Sequence, residues 1–229
     1  ANIESAPLLD LERRCRVLEI SLRIIPSAHE IISGAVSVTD IQEISEEDLL
    51  GRRSVITSDL SIGEFIRGQR VLVTGAGGSI GSEISRQVYQ YSPETLVLLD
   101  RDETALLNLQ LSLDGTGLLT NNGLILGDIR DKELVDKLVA ESDVVFHMAA
   151  ALGVKNIMEH TIESIDRNFN GSEVVLHAAT KHNKRLLIAS TSEIYGKNPN
   201  QPLHEESDRV VGAPQKIRWT YSDAKALEE

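Results

Sequence analysis

A tyrosine and a lysine stand four residues apart in the segment WTYSDAK, as Tyr221 and Lys225. On a helix, residues with this spacing lie on one face. A phenol is a poor base near neutral pH because its pKa is about 10, but a neighbouring ammonium group stabilises the phenolate and lowers that pKa. Such a tyrosine can take the proton of a hydroxyl group while hydride leaves the carbon for a nicotinamide. The alternative is an ordinary solvated helix face, since the spacing is common by chance.

Hydroxyl and carboxyl side chains cluster in the segment ASTSEIYG, at Thr191, Ser192 and Glu193. They follow the apolar run RLLI, which we expect to form a strand of a parallel sheet, so they would stand at the carboxyl end of that strand. There a hydroxyl could hold the reacting oxygen of a substrate, and Glu193 could act as acid or base. The competing interpretation is an ordinary strand-to-loop turn, in which serine and threonine are frequent.

Glycines are concentrated in the loop of VLVTGAGGSIGSEISRQV, where three of them follow a G-x-x-G-x-x-G pattern. Between a strand and a helix, one such glycine makes a tight turn, another lets the backbone approach a pyrophosphate, and the last lets the helix pack close to the strand. The start of the helix then offers free N–H groups and the positive end of its dipole to the phosphates. The residues expected to contact this ligand are Gly75, Gly78, Ser79, Ile80 and Gly81.

An aspartate at the end of the next apolar run strengthens the dinucleotide interpretation over a glycine-rich turn without a ligand. Asp100 lies 19 residues after Gly81, close to the spacing of about 20 residues at which an acidic residue holds an adenosine ribose. Asp100 favours NAD, because a carboxylate repels the 2′-phosphate of NADP. The neighbouring Arg101 could instead receive that phosphate, so NADP stays possible.

Two further segments end predicted strands at the same edge of the sheet. GDIRD places Asp128 and Ile129 where they could touch an adenine, although the start of a helix explains these residues equally well. HMAAALG offers Ala149 and Ala150, whose small side chains would let a cofactor lie flat, and simple packing is the alternative for each. No metal site is predicted.

From residue 71 onward, apolar runs alternate with segments of amphipathic helical pattern. This alternation predicts parallel strands covered by helices on both faces, the Rossmann-like doubly wound α/β plan, in which ligands bind at the carboxyl ends of the strands. The expected strands are 71–74, 95–100, 123–128, 143–149 and 185–191. The expected helices lie near 80–91, 102–112, 131–140, 157–180 with a break, and from about 218 to the end.

The first 62 residues are more polar and predict only short elements: a helix in LLDLERRCRVLEI, a strand in SLRIIP and a helix in SAHEIISG. We therefore expect an N-terminal extension over 1–62, the tail of an upstream domain, and an NAD(P)-binding domain over 63–229. The net charge of −12 argues against a general nucleic-acid binder, which needs a basic surface. The single cysteine, Cys15, allows no intrachain disulfide and fits a cytoplasmic location.

Taken in order, the glycine loop, LLDRDE, GDIRD, HMAAALG, NFNG, STSEIYG and the Tyr-x-x-x-Lys pair resemble the extended short-chain dehydrogenase/reductases, over about residues 68–229. The resemblance implies an enzyme that modifies nucleotide sugars, with NAD or NADP as cofactor and a UDP-sugar as substrate. It implies that Asn168 supports the helix that bears Tyr221. It also implies cofactor contacts at Gly75, Gly78, Gly81, Asp100, Arg101, Asp128, Ile129, Ala149, Ala150 and Lys225.

The two halves of the chain resemble different subgroups. Residues 27–130, with PSAHEIISG, EEDLLGRR and GQRVLVTGAGGSIGSEISRQ, are similar to the nucleotide-sugar 4,6-dehydratases of bacterial capsule polysaccharide biosynthesis. Residues 140–229 are more similar to nucleotide-sugar epimerases and UDP-glucuronate decarboxylases. Ser192 stands where the retaining dehydratases have the aspartate that protonates the departing hydroxyl, and Leu152-Gly153 stands where the capsule enzymes have Lys-His. The implied function is an epimerase, dehydratase or decarboxylase that works through a 4-keto sugar.

The resemblance also carries expectations about the surroundings of this chain. Relatives of this kind usually have membrane helices and another nucleotide-binding-like domain upstream. We therefore expect the protein to contact a membrane only through segments that precede this chain. They continue beyond the Tyr-x-x-x-Lys helix with a sugar-nucleotide-binding region, so 63–229 would be a domain truncated at its C-terminus. A homo-oligomer is expected for the full-length parent. The alternative function is a non-catalytic dinucleotide-binding module or an inactive fragment of such an enzyme.

Overall fold

The computed structural model describes residues 60–115, 123–151 and 159–229, together with scattered residues before residue 60. The chain divides into two compact units, Ala1–Ser58 and Asp59–Glu229. In the first unit, the described strands β1 (Arg23–Ile24) and β2 (Gln42–Glu43) pair antiparallel. β1 lies in SLRIIP, where a strand is predicted. The helix predicted in SAHEIISG, and most of the one predicted in LLDLERRCRVLEI, lie outside the described residues.

The second unit is built on a five-stranded parallel sheet. Its strands are β3 (Arg70–Thr74), β4 (Thr95–Asp100), β5 (Leu124–Leu126), β6 (Val144–His147) and β7 (Arg185–Ile188). Their spatial order is β5-β4-β3-β6-β7, which confirms the predicted Rossmann-like sheet. The chain order reverses between β3 and β6, and ligands of open α/β sheets bind outside the strand carboxyl ends at that point.

Helices connect the strands, as the alternating pattern predicts. None of the helices in the described ranges is long and apolar enough to cross a membrane. The break predicted within 157–180 corresponds to a π-helical turn between two α-helices. The helices are α1 (Leu60–Ile66), α2 (Ser79–Gln90), α3 (Glu103–Asp114), α4 (Lys132–Ala140), α5 (Thr161–Ile165), the π turn (Asp166–Asn170), α6 (Gly171–Lys181) and α7 (Thr220–Glu228), with 3₁₀ turns at Ser192–Tyr195 and Ile217–Trp219.

Strands β5, β6 and β7 are shorter than predicted and end at Leu126, His147 and Ile188. Beyond β6, one more backbone hydrogen bond continues the pairing, from the Met148 amide to the Thr74 carbonyl at 3.1 Å. After this bond the chain leaves the sheet. Residues predicted as strand ends, such as Ala149, therefore form loops at the carboxyl edge.

Each face of the sheet has its own hydrophobic core, because neighbouring residues of a strand point to opposite faces. In β3, Leu72 packs into a core formed with α4 and α6. Val71 and Val73 pack into a second core formed with α1, α2 and α3. All three side chains are fully buried. Buried on both faces, β3 is a rigid support for the loop that begins at Gly75.

An ion pair closes the opposite, amino end of the central strands. Arg70 donates to Asp143 from its backbone amide and Nε, each at 3.0 Å, and from Nη2 at 2.6 Å. These bonds hold the pKa of Asp143 well below its usual range. The pair joins the start of β3 to the residue before β6, far from the edge where the carboxyl ends lie.

Candidate functional site

A cavity of about 440 Å³ opens at the carboxyl ends of the strands, at the switch point of the sheet. Every residue predicted to contact a cofactor lines it, except Lys225. These residues are Gly75, Gly78, Ser79, Ile80, Gly81, Asp100, Arg101, Asp128, Ile129, Ala149 and Ala150. The lining also includes residues for which no cofactor contact is predicted: Gly77, Leu99, Asp102, Ala105, Gly127, Met148, Ala151 and Arg167.

The three glycines of the G-x-x-G-x-x-G pattern have different surroundings. Gly75 adopts φ +67°, and a Cβ there would lie 2.6 Å from the backbone of Ala149, so it makes the turn and lets two loops meet. A Cβ on Gly81 would overlap the carbonyl oxygen of Gly75, so this glycine allows helix α2 to pack against the loop. A Cβ on Gly78 would lie 3.3 Å from the same oxygen, and Gly78 is exposed at the cavity.

Helix α2 starts at the cavity with an open N-terminus. Gly78 precedes the helix in an extended conformation, and no side chain caps the first turn. The first N–H groups of a helix have no intrahelical acceptor, and the dipole adds partial positive charge there. An open helix start, a close-packed glycine loop and a cavity between them fit the pyrophosphate of a dinucleotide.

Asp100 is bonded to the glycine loop as well as facing the cavity. Its Oδ2 accepts from the Gly77 amide at 2.8 Å, and its Oδ1 accepts from the Asp102 amide at 3.0 Å. Each carboxylate oxygen can accept more than one hydrogen bond, so both retain capacity for a ribose diol. A Cβ on Gly77 would lie 2.5 Å from that of Ala105, so a glycine is required there too. Gly77 is not one of the glycines of the G-x-x-G-x-x-G pattern.

Asp128 lines the cavity in a tight contact with Arg130. Its Oδ1 accepts from the amide and Nε of Arg130, and its Oδ2 from Nη2 at 2.7 Å. These bonds lower the pKa of Asp128 to about 2. Arg130 also pairs with Asp166 in the π turn. The alternative interpretation of Asp128, as a residue at the start of a helix, has less support. The side chain that caps α4 is that of Asp131, which accepts a hydrogen bond from the Leu134 amide.

The loop after β6 is held by the buried amide of Asn168. Its Oδ1 accepts from the Ala151 amide at 2.6 Å, and its Nδ2 donates to the Ala151 carbonyl at 3.1 Å. The resemblance implies that Asn168 supports the helix bearing Tyr221. The π turn does pack against α7, but the amide itself bonds the cavity wall. Its neighbour Arg167 lines the cavity, a placement that the motif NFNG does not reveal.

The predicted acid, base and hydroxyl groups after β7 occupy the 3₁₀ turn and the residue before it. Thr191 caps this turn, with its Oγ1 accepting from the Glu193 amide at 3.3 Å. Ser192 and Glu193 are exposed. The turn packs against α7, and the charge of Glu193 acts on Tyr221. The structure thus brings both predicted catalytic segments together, outside the lining of the cavity.

Lys225 does not have the partner that the sequence predicts. It is 2% exposed, and its Nζ donates to Oε2 of Glu228 at 2.7 Å. Tyr221 is partly buried, and burial raises its pKa, as do the charges of Glu228 and Glu193. In this conformation Lys225 is bonded to Glu228, and its role toward Tyr221 stays a prediction.

A buried histidine at the end of β6 bonds two hydroxyl groups. His147 ends β6 and is 1% exposed. Its Nδ1 lies 2.7 Å from Oγ1 of Thr74, and its Nε2 lies 3.0 Å from Oγ of Ser172. Burial lowers the pKa of His147 to about 3, and the charge of Lys225 adds to this effect. Lys225 therefore lies near the carboxyl edge from which the cavity loops depart.

Known proteins resemble this chain over most of its length. A family described as polysaccharide biosynthesis protein matches residues 71–194. UDP-N-acetyl-alpha-D-glucosaminuronate decarboxylase of Bacillus cytotoxicus is 42% identical over 162 residues, which is 70% of this chain and 48% of that protein. The capsular polysaccharide biosynthesis protein CapD of Staphylococcus aureus is 30% identical over 214 residues, which is 92% of this chain and 34% of that protein.

A solved structure shares the fold of the second unit. UDP-glucose-4-epimerase of Stenotrophomonas maltophila, with bound NAD and formylated UDP-arabinopyranose, matches with a TM-score of 0.58 and 25% identity. The match covers 69% of this chain and 46% of the epimerase. The chain thus spans between a third and a half of the length of these similar proteins.

Proposed function

The chain belongs to the polysaccharide biosynthesis protein family, and from that premise we propose that it is the cofactor-binding part of an NAD-dependent enzyme that modifies a UDP-sugar through a 4-keto intermediate. Its similarity to a capsule biosynthesis protein and to a UDP-sugar decarboxylase confirms the resemblance expected from its motifs. The observation that carries the proposal is the cavity at the switch point. There a glycine loop, an open helix start and Asp100 surround one space.

The proposed cofactor contacts follow from what lines this cavity. Backbone amides of the loop 75–81 and of the first turn of α2 would hold the pyrophosphate. Asp100 would accept hydrogen bonds from the adenosine ribose, which supports NAD over NADP because its carboxylate would repel a 2′-phosphate. Ala149 and Ala150 would form a flat wall. When bound, NAD would take up hydride from a sugar carbon.

The proposed chemistry uses groups on α7 and on the turn after β7. Tyr221 would take the proton of a sugar hydroxyl, at C4 in our proposal, and Thr191 or Ser192 would hold the same oxygen. Lys225 would keep the phenolate accessible. Glu193 would move a proton only if the keto sugar goes on to lose or transfer a further group.

Epimerase or decarboxylase chemistry is favoured over dehydration. Ser192 stands where the retaining dehydratases have a proton-donating aspartate, and a serine hydroxyl is a poor acid. The 42% identical relative is named as a decarboxylase, which also supports epimerase or decarboxylase chemistry.

Isothermal titration calorimetry with NAD and NADP tests the cofactor proposal on the 229-residue chain. Gly78→Val places a branched side chain at the cavity without demanding a new backbone conformation, since Gly78 is extended with φ −67° and ψ 165°. We expect NAD to bind wild type more tightly than NADP and the variant to lose most of that affinity. Equal NAD binding by both proteins would remove the glycine loop from the proposal.

The catalytic proposal needs the full-length parent protein. Incubation with UDP-sugars and detection of the products by NMR would distinguish epimers, decarboxylated sugars and 4-keto-6-deoxy sugars. If the parent binds NAD but converts no UDP-sugar, the alternative of a non-catalytic dinucleotide-binding module takes precedence.

Three expectations rest on the family resemblance or on the sequence alone and stay proposals. They are a homo-oligomeric full-length parent, a cytoplasmic location, and the assignment of 1–62 as the tail of an upstream domain. Size-exclusion chromatography with light scattering on the parent protein tests the first of them.

A further inference from the structure

The ion pair between Lys225 and Glu228 is the most deeply buried pair of charges in the described part of the second unit. Each side chain is 2% exposed, and the Nζ to Oε2 distance is 2.7 Å. The second carboxylate oxygen, Oε1 of Glu228, is buried without a hydrogen-bond partner. A buried pair repays the loss of hydration only when its remaining donors and acceptors are satisfied, so this pair is incompletely compensated.

Glu228 shares its helix face with the two proposed catalytic residues. Tyr221, Lys225 and Glu228 occupy positions i, i+4 and i+7 of α7, which lie on one face. Lys225 can therefore turn toward the carboxylate three residues after it or toward the phenol four residues before it. In the structure it bonds the carboxylate.

The other charged groups around this face do not replace Glu228. On the 3₁₀ turn, Glu193 is exposed. On α5 and the π turn, which pack against α7, Glu163 pairs with Arg167 and Asp166 pairs with Arg130. From β6, the neutral His147 bonds Thr74 and Ser172. Glu229 bonds Ser190, and Asp223 pairs with Arg209.

We propose that Glu228 is a positioning residue that binds Lys225 as a buried ion pair and neutralises its charge toward Tyr221, so that Tyr221 remains a phenol until Lys225 is released. The inference deepens the proposed function, on which its catalytic meaning rests. Two negative groups, Glu228 and Glu193, raise the pKa of Tyr221 in addition to its burial, and this agrees with a resting state. Loss of this pair would leave the ammonium of Lys225 free to act on Tyr221.

Residue-specific titration of Tyr221 in the 229-residue chain tests this arrangement without any cofactor. Tyrosine labelled with ¹³C at the ζ carbon reports each phenol by NMR, and Tyr221→Phe identifies the resonance among the four tyrosines. We expect Glu228→Gln to move the Tyr221 titration to lower pH. Glu229→Gln is the matched control, because it removes the adjacent, exposed carboxylate, and we expect no such movement.

A double variant separates release of Lys225 from the direct field of Glu228. In Lys225→Met/Glu228→Gln no ammonium is available, so we expect a smaller movement than in Glu228→Gln alone. Equal movement in the single and double variants would overturn the positioning role, as would an unchanged titration in Glu228→Gln. If Glu228→Gln fails to fold, the Tyr221 titration is measured in Glu228→Asp instead. Its shorter side chain loosens the contact, and an unchanged Tyr221 titration there overturns the proposal.

Calorimetry with NAD on the same proteins keeps the inference separate from the proposed function. A downward movement of the Tyr221 titration in a protein that does not bind NAD would support the Glu228 arrangement and refute the cofactor proposal. Normal NAD binding together with an unchanged Tyr221 titration in Glu228→Gln would support the cofactor proposal and refute the Glu228 arrangement.

Discussion

The backbone amide of Gly77 donates a hydrogen bond of 2.8 Å to Oδ2 of Asp100. This bond joins the glycine loop after β3 to the end of β4. The residue proposed to hold the ribose therefore also shapes the loop proposed to hold the phosphates. A Cβ on Gly77 would stand 3.2 Å from the same carboxylate oxygen, so a side chain there would disturb both.

Substitution of Asp100 tests this double role. We expect Asp100→Ala to weaken NAD binding more than Asp100→Asn, because asparagine keeps one acceptor oxygen and alanine keeps none. Calorimetry with NAD and NADP measures both affinities. Asp131→Ala serves as the control, since it removes a helix cap outside the cavity lining and should lower stability by about 1 kcal/mol with NAD affinity intact. An unchanged NAD/NADP preference in Asp100→Ala would show that the carboxylate is not the discriminator.

The glycines of the loop should tolerate alanine unequally. We expect Gly81→Ala to destabilise the chain by about 1–3 kcal/mol, because its Cβ would overlap the Gly75 carbonyl. Gly78→Ala should cost less than Gly81→Ala, since its Cβ would stand 3.3 Å from that oxygen, a close contact that a shift of a few tenths of an ångström relieves. Urea unfolding followed by circular dichroism measures both. Similar midpoints for the two variants would contradict the packing role of Gly81.

His147 should make the folded state sensitive to mild acid. Its pKa is lowered to about 3 in the fold from an ordinary value of 6.5. Below pH 6.5 the unfolded chain binds a proton that the folded chain excludes, so stability is complete above pH 6.5 and falls as the pH drops toward 3. The slope from one such group approaches about 1.4 kcal/mol per pH unit. Urea unfolding across this range measures it.

The matched variants for this pH dependence are His147→Asn and His177→Asn. Asparagine at 147 does not titrate, so we expect its unfolding free energy to vary less with pH than that of wild type above the range where carboxylates titrate. The side chain of His177 is 80% exposed, and its variant should follow wild type. A His147→Asn curve parallel to wild type would assign the acid sensitivity to other groups.

Two asparagines of the π turn, Asn168 and Asn170, should contribute unequally to stability and NAD binding. Asn168→Ala removes both bonds to Ala151 from a buried position. We expect a loss of about 1–3 kcal/mol and weaker NAD binding, because Ala151 lines the cavity. Asn170→Ala removes an exposed bond to Asp166 and should change neither quantity appreciably. Chemical unfolding and calorimetry on the two variants check this. Equal losses would show that the turn as a whole, and not the Asn168 amide, supports the loop.

In the full-length parent, Tyr221→Phe should lower turnover by a factor on the order of 10²–10⁴ if proton transfer is its contribution. Wild-type turnover in this variant would refute the mechanism. Glu193→Gln then separates the remaining reactions. Near-normal turnover indicates an epimerase, which needs only rotation of the keto sugar and hydride return, and a large loss indicates elimination or decarboxylation. Product formation from UDP-sugars, followed by NMR, measures both variants.

Much of the architecture follows from local features of the sequence. The parallel sheet and its order of strands and helices agree with the alternation of apolar runs, because strand and helix periodicities are properties of consecutive residues. The spacing of Gly75, Gly78 and Gly81 and the position of Asp100 were enough to place these residues around one cavity. Strand ends were less predictable, because the last residues leave the sheet according to contacts made by other segments.

Only the tertiary structure decided which partner each polar group takes. Asn168 bonds Ala151, His147 bonds Thr74 and Ser172, and Asp100 bonds Gly77, all of them residues distant in sequence. Lys225 shows the physical reason most clearly. Helical spacing lets it reach Tyr221 or Glu228, and both contacts satisfy the sequence pattern equally. Burial selects the carboxylate, because an ammonium group removed from water gains most from a full opposite charge.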